Sequence, residues 1–342
     1  MPRAAIVSCS GPSLTPEERR FVRSADPLGL IVFARNITDR SQLVSLTNSF
    51  RDEVGRDDAP VLIDQEGGRV ARLRPPQWRA TEPAESYAAL YGRNPAAALE
   101  AVRLNAGLMA AELLEVGITV DCAPDCDLSF PEADRQVVGS RSFGAAPAQV
   151  IALARSVAEG LLDRGVLSVI KHMPGHGRAK VDSHKALPRV DTDRATLRAT
   201  DFAVFRALAD LPWGMTGHLL FSAIDPDRPA TQSPTIIRDV IRGEFGFDGF
   251  LVTDDLCMGA LDGDMGERVA RAIEAGCDAA LICDGDLERT KAGVERAPEL
   301  AGRALERYLA GEARRVAARR EGFDVAAAQA RHDMLLGLGR AA

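Results

Sequence analysis

The chain has 342 residues, 46% apolar and 27% charged, with a formal charge of −7 and a pI near 5.4. That balance suits one large globular domain and disfavours a nucleic-acid surface, because phosphate recognition draws on a basic stripe. No stretch reaches the uninterrupted apolar length of a membrane span, and the start, MPRAAIVSCSGPSLTPEE, turns polar too early for a secretory core, so the expected setting is the cytoplasm with no membrane partner.

In chain order, apolar strands are expected at 4–9, 28–34, 60–65, 118–126, 166–172, 212–218, 248–254 and 277–283. Helical pattern lies between most successive strands. Three helices (97–117, 150–165 and 267–276) end on Gly117, Gly165 and Gly276, the residue type that most readily takes the left-handed position past a helix. The strands are apolar throughout rather than alternating, which is the mark of a parallel sheet covered on both faces. Eight such strands predict an α/β fold, a (β/α)8 TIM-type barrel forming a single domain over residues 1–342, with further helices after about residue 285. A doubly wound open sheet is the rival. No GxGxxG follows the first strand, which weakens its dinucleotide-binding version. The late arginines Arg314, Arg315, Arg319 and Arg320 are interleaved with acids and alanines and read as a solvated helix face.

Polar residues collect at the strand ends: Asp64 after the third, Asp125 and Asp127 after the fourth, Lys171 and His172 after the fifth, His218 after the sixth, Asp254 and Asp255 after the seventh. In a barrel these ends share one rim, where active sites are built. Any one aspartate could simply cap the next helix. Five strands together strain that explanation, since caps need neither lysine nor histidine.

The segment KHMPGHGRAKVDSH (171–184) holds three of the five histidines in a stretch that proline and glycine keep from being helical. His172 and His176 have the spacing of a helical zinc pair, but the intervening Met-Pro-Gly removes the helix, and Cys122 and Cys126 lack two further ligands. The six cysteines sit mostly in apolar runs and read as small buried hydrophobes. No metal and no cofactor is expected. Metal-free chemistry fits better. Asp182 can orient and raise the basicity of His184, and Asp254 can act as a carboxylate nucleophile. Asp64, Arg141, Lys171 and His172 offer the donors and charged acceptors that bind sugar hydroxyls. His176 reads at least as readily as a loop-stabilising hydrogen-bond partner.

These residues lie in motifs that resemble the bacterial β-N-acetylhexosaminidases of glycoside hydrolase family 3. KHMPGHGRAKVDSH resembles the KHFPGHG…DSH signature. GLIVFARNI (29–37), VLIDQEGGRVARL (61–73), VVGSRSFG (137–144), TDDLCMGA (253–260) and AGCDAALIC (275–283) follow in family order. The resemblance implies removal of terminal N-acetylglucosamine with retention of configuration. It places the nucleophile on Asp254, an Asp-His acid/base dyad on Asp182 and His184, and sugar contacts on Asp64, Arg141, Lys171 and His172. The short form is similar to the monomeric cytoplasmic enzymes of cell-wall recycling, with a small saccharide or muropeptide substrate: N-acetylglucosamine linked to anhydro-N-acetylmuramic acid, with or without peptide. A broader β-glycosidase, a phosphate-using enzyme and a non-catalytic sugar-binding barrel are the alternatives. Thr253, Gly217, Arg178 and the acidic DCAPDCDL around Asp125 depart from the family pattern. The loop glycines are expected to let the dyad swing.

Overall fold

The computed structural model describes residues 1–131, 133–134 and 137–338. The expected helix-ending glycines all have positive φ, at 77° for Gly117, 88° for Gly165 and 115° for Gly276. Each turns the chain from an outer helix into a buried strand.

The strands are β1 (Arg3–Val7), β2 (Pro27–Val32), β3 (Val61–Ile63), β4 (Val120–Asp121), β5 (Leu167–Met173), β6 (Arg189–Val190), β7 (Trp213–Thr216), β8 (Leu220–Phe221), β9 (Phe250–Asp255) and β10 (Ala279–Ile282). Eight of them close a barrel in the order β1-β10-β9-β7-β5-β4-β3-β2. Closure excludes the open-sheet rival: β1 pairs in parallel with β10, Ala5 opposite Ala280, and with β2 on its other side. Each expected strand falls on one barrel strand.

The fourth is much shorter than its apolar run. Pro124 has no N–H to donate, so the ladder breaks after Asp121 and resumes as a single bridge between Asp125 and Lys171. The break leaves Asp125 and Asp127 beside the end of β5. A second feature was not legible in the periodicity: β6 pairs with β8 outside the barrel, Arg189 opposite Leu220. This small pair pins the far end of the loop after β5 to the segment after β7.

Ile6, Leu62, Val169, Trp213, Phe250 and Leu281 contribute to a buried cluster drawn from the barrel strands. Tyr308, from the helix Gly302–Ala318, packs on Trp213 and Phe250 with ring centroids 6.1 and 5.7 Å away. Outside, the helices Pro95–Glu115 and Pro147–Leu162 approach closely because Gly160 has no Cβ; one built there would lie 2.6 Å from the Arg103 carbonyl oxygen. The late arginines do more than face solvent. Arg315 donates to the Gly165 carbonyl at 3.3 Å, Arg320 reaches Asp163 at 3.0 Å, and Arg314 bonds the Asp210 carbonyl, so they tie the C-terminal segment to the barrel's outer layer. All six cysteines are free thiols and five are buried; burial pushes Cys9 and Cys277 up to about 12.

Candidate active site

A cavity of about 260 Å³ opens at the C-terminal ends of the barrel strands, and all seven candidate residues line it: Asp64, Arg141, Lys171, His172, Asp182, His184 and Asp254. The chain brings together positions up to 190 residues apart because parallel strands present their C-terminal ends on one rim.

One wall is a chain of ion pairs. Arg72 donates to Asp64 at 3.1 Å, and Lys171 Nζ donates to Asp64 at 2.8 Å. Lys171 also contacts Glu66 at 2.7 Å, and the Arg141 guanidinium grips both oxygens of Glu66 at 2.8 and 2.7 Å. Burial alone would raise the carboxyls. The adjacent cations outweigh it, so Asp64 and Glu66 both lie below their ordinary values. Lys171 is held well above its own range, its burial offset by the charges of Asp64 and Glu66. Glu66 and Arg72 are the site residues that sequence reasoning missed. The signal lay in DQEGGRVAR, where Glu66 follows Asp64 by two just beyond β3.

Glu66→Gln leaves Lys171 and Arg141 short of a buried partner. The expected loss is about 3–5 kcal/mol of folding stability, read by denaturant unfolding. The native Glu66 carboxyl is depressed below its ordinary 4.5, so its contribution is present above pH 4.5 and fades as pH falls below that value. The stability gap between wild type and variant should therefore narrow in acid.

The next group surrounds His172. Its Nδ1 lies 2.7 Å from Asp127 Oδ2, which leaves Nε2 for the cavity, and the backbone N–H of His176 donates to the other Asp127 oxygen. Burial lowers His172 below its ordinary value. Burial likewise pushes Asp125 and Asp127 up to about 7. Among the described residues Asp125, Asp127 and His172 cluster closely enough to hold a cation. Asp127 is engaged as above and Asp125 Oδ1 by the Asp127 N–H at 2.8 Å, while Asp125 Oδ2 makes no hydrogen bond among the described residues and lies 3.3 Å from the Arg141 guanidinium. The Arg141 cation beside Asp125 repels a second positive charge there, so this set fits an ion poorly.

The two adjacent aspartates at the end of β9 differ. Asp255 Oδ1 accepts the N–H groups of Cys257 and Cys283 at 2.9 and 3.1 Å, and burial raises its carboxyl. Among the described residues Asp254 takes only the Asp255 N–H, at 2.8 Å. Burial would raise it, but the charges of His172 and His218, with that N–H, bring it down to about 2. It is an anion at any ordinary pH, facing the cavity. His218 does not line the cavity. It is fully buried, with Nε2 donating to the Asp255 carbonyl at 2.9 Å and Nδ1 2.7 Å from the Thr231 hydroxyl, and it braces the end of β9. Thr253 accepts the Leu281 N–H at 2.9 Å through its hydroxyl, a bond that a serine at this position would also supply.

Asp182 and His184 occupy the loop after β5. His184 Nδ1 lies 2.9 Å from Asp182 Oδ1, and the His184 backbone N–H donates to the same oxygen at 2.9 Å. Partial burial would raise the Asp182 carboxyl; these two bonds bring it down. The His184 side chain is 73% exposed, with Nε2 unengaged by the bond to Asp182. The loop's first half differs from a freely swinging hinge. A Cβ on Gly175 would lie 2.8 Å from Asp201 Cβ, and one on Gly177 would lie 2.0 Å from the Leu128 oxygen, so these glycines permit close packing. Arg178 adds a tether, donating to Asp201 at 2.8 Å and lying 3.9 Å from the centre of the Phe130 ring. Gly217 also serves contact: a Cβ there would stand 3.0 Å from His172 Cβ and 2.8 Å from Leu219 Cδ1.

Residues 9–317 match the glycosyl hydrolase family 3 N-terminal domain. A "Beta-hexosaminidase" of Alkalilimnicola ehrlichii is 39% identical over 283 residues, covering 82% of this chain and 80% of that protein. NagZ from Neisseria gonorrhoeae in complex with N-trifluoroacetyl-D-glucosamine superposes with a TM-score of 0.84 at 27% identity, covering 99% of each chain. The same Neisseria protein in complex with zinc ion superposes at 0.81 with 28% identity, again over 99% of each chain. With the family match spanning nearly the whole barrel, the chain belongs to glycosyl hydrolase family 3 and is a glycoside hydrolase.

Proposed function

We propose that the protein is a retaining exo-β-N-acetylglucosaminidase that releases terminal N-acetylglucosamine from muropeptide fragments. The observation that carries this reading is an ionised Asp254 facing the same cavity as the Asp182–His184 pair. Asp254 attacks the anomeric carbon. The His184 imidazolium, stabilised by Asp182, gives its Nε2 proton to the departing oxygen and becomes neutral. Water then loses a proton to that nitrogen as its oxygen displaces Asp254, which restores both groups. Asp64, Arg141, Lys171 and His172 hold the sugar: their pairing in one rigid network fixes the ring over Asp254. The curated relatives named Beta-hexosaminidase, and the Neisseria protein bound to an N-acylated glucosamine, support the acetamido sugar.

The aglycone side is the open rim. Lys180 and Lys185 flank the dyad there in exposed positions, which suits an acidic peptide-bearing leaving group. The protein acts as a cytoplasmic monomer in this reading, and no described helix is long and apolar enough to cross a membrane.

Turnover of nitrophenyl N-acetylglucosaminide against the matching glucoside tests the sugar assignment. Equal rates would place the protein among broad β-glycosidases, and no turnover of either would leave a binding barrel. Exhaustive chelation should leave the rate unchanged, since the one described acidic–histidine cluster already has the Arg141 cation beside it. Loss of activity that zinc restores would show the opposite.

A further inference from the structure

The loop that carries Asp182 and His184 has an anchor at its centre. Ser183 is 3% exposed, although its neighbours on both sides face solvent or the open cavity. Its hydroxyl lies 3.2 Å from Nε2 of His176, itself buried. His176 is fixed in turn. Its backbone N–H is held by Asp127, and its ring packs on that of His172 with centroids 5.5 Å apart. From the opposite side, two backbone N–H groups just past the nucleophile strand reach the same three-residue stretch. Gly259 donates to the His184 carbonyl at 3.2 Å, and Ala260 donates to the Ser183 carbonyl at 3.1 Å. Gly259 has room for this only because it lacks a side chain: a Cβ would stand 2.7 Å from the His184 oxygen and 3.2 Å from the Lys185 oxygen.

We propose that His176, through Ser183, and the Gly259–Ala260 backbone form a two-sided latch that sets the Asp182–His184 pair at its working distance from Asp254. His176 is thus a positioning residue, and the latch rests on the dyad reading above. The geometry explains why this histidine is buried while the one two residues past Asp182 is exposed. Burial brings His176 down to about 3, so it is neutral wherever the enzyme works and holds its hydrogen bond without placing a charge beside the dyad. The turn that follows β9 carries one half of the latch, through the N–H groups of Gly259 and Ala260. Nucleophile and proton donor are therefore tied to one another as well as to the barrel.

The test uses the full-length protein and a series of aryl N-acetylglucosaminides of rising leaving-group pKa. Misplacing an acid by about an ångström costs on the order of 100-fold when its proton is needed. His176→Ala and Gly259→Ala should therefore each slow hydrolysis of the poor leaving groups by roughly 10- to 100-fold, and of the best ones far less. His176→Gln, which keeps a polar nitrogen near the Nε2 position, should recover much of the loss. In the His184→Ala background, His176→Ala should add no more than about twofold, because the acid it positions is gone. A uniform loss across all leaving groups, or additive losses in the double variant, would make His176 merely structural and overturn the latch. If His184→Ala itself shows no leaving-group dependence, the dyad reading fails first, and the two failures are told apart by that single variant.

Discussion

Asp254→Ala is expected to reduce turnover by roughly 10⁵-fold or more while N-acetylglucosamine still binds. Asp64 and Glu66 are neutralised by Arg72, Lys171 and Arg141, and Asp255 is tied to two backbone N–H groups, whereas among the described residues Asp254 forms no direct ion pair with a lysine or arginine. Removing Asp254 takes away the only group able to form the covalent intermediate in this reading, yet leaves the sugar-holding network untouched. Trapping with a 5-fluoro sugar and mapping the labelled peptide checks the assignment within the pair. Label on Asp255 would transfer the role to a carboxyl that burial keeps raised, against the geometry described. Asp254 is ionised down to about pH 2, so any acid limb in kcat/KM at moderately low pH must come from other groups.

The second large effect concerns His184. A histidine acid must hold Nε2 toward the leaving group, and the carboxylate of Asp182 on Nδ1 fixes the ring for it. His184→Ala should slow alkyl and sugar glycosides by roughly 10²- to 10⁴-fold, the ordinary range of general acid catalysis, and should hardly affect dinitrophenyl glycosides, whose leaving group departs unaided. Asp182→Ala should follow the same trend more weakly, since the imidazole remains but loses its orientation. Rate plotted against leaving-group pKa is the measurement. A slope in His184→Ala no steeper than in wild type would confine the loop to binding. After proton transfer His184 is neutral, so an anionic acceptor such as azide meets less repulsion beside it than it would beside a carboxylate. Added azide should therefore compete with water for the intermediate in wild type.

The apolar runs, the strand-preceding glycines and the polar strand ends were enough to specify eight parallel strands and one rim, because each of these is a local consequence of residue type. A strand buried on both faces must be apolar along its length, a helix turning into it favours glycine, and a barrel leaves only its strand ends to carry polar groups. Asp64, Lys171, His172 and Asp254 were legible for this reason. Partnership was not legible. Glu66 is two residues from Asp64 in the sequence, but its importance comes from Arg141, which lies 75 positions later and grips it only once the barrel closes. His218 sits at a strand end like the others, yet Thr231 and the Asp255 carbonyl turn it away from the cavity and into the wall. The loop glycines show the same limit. Gly175 and Gly177 read as sources of freedom by residue type, but the close approach of Asp201 and Leu128 makes them packing positions. Local propensity follows from neighbours along the chain, so sequence alone determined the elements and the chemical inventory of the rim. Which carboxylates are neutralised, which histidine faces the cavity and which end of the loop is fixed depend on contacts tens to hundreds of residues apart, and only the tertiary structure decided them.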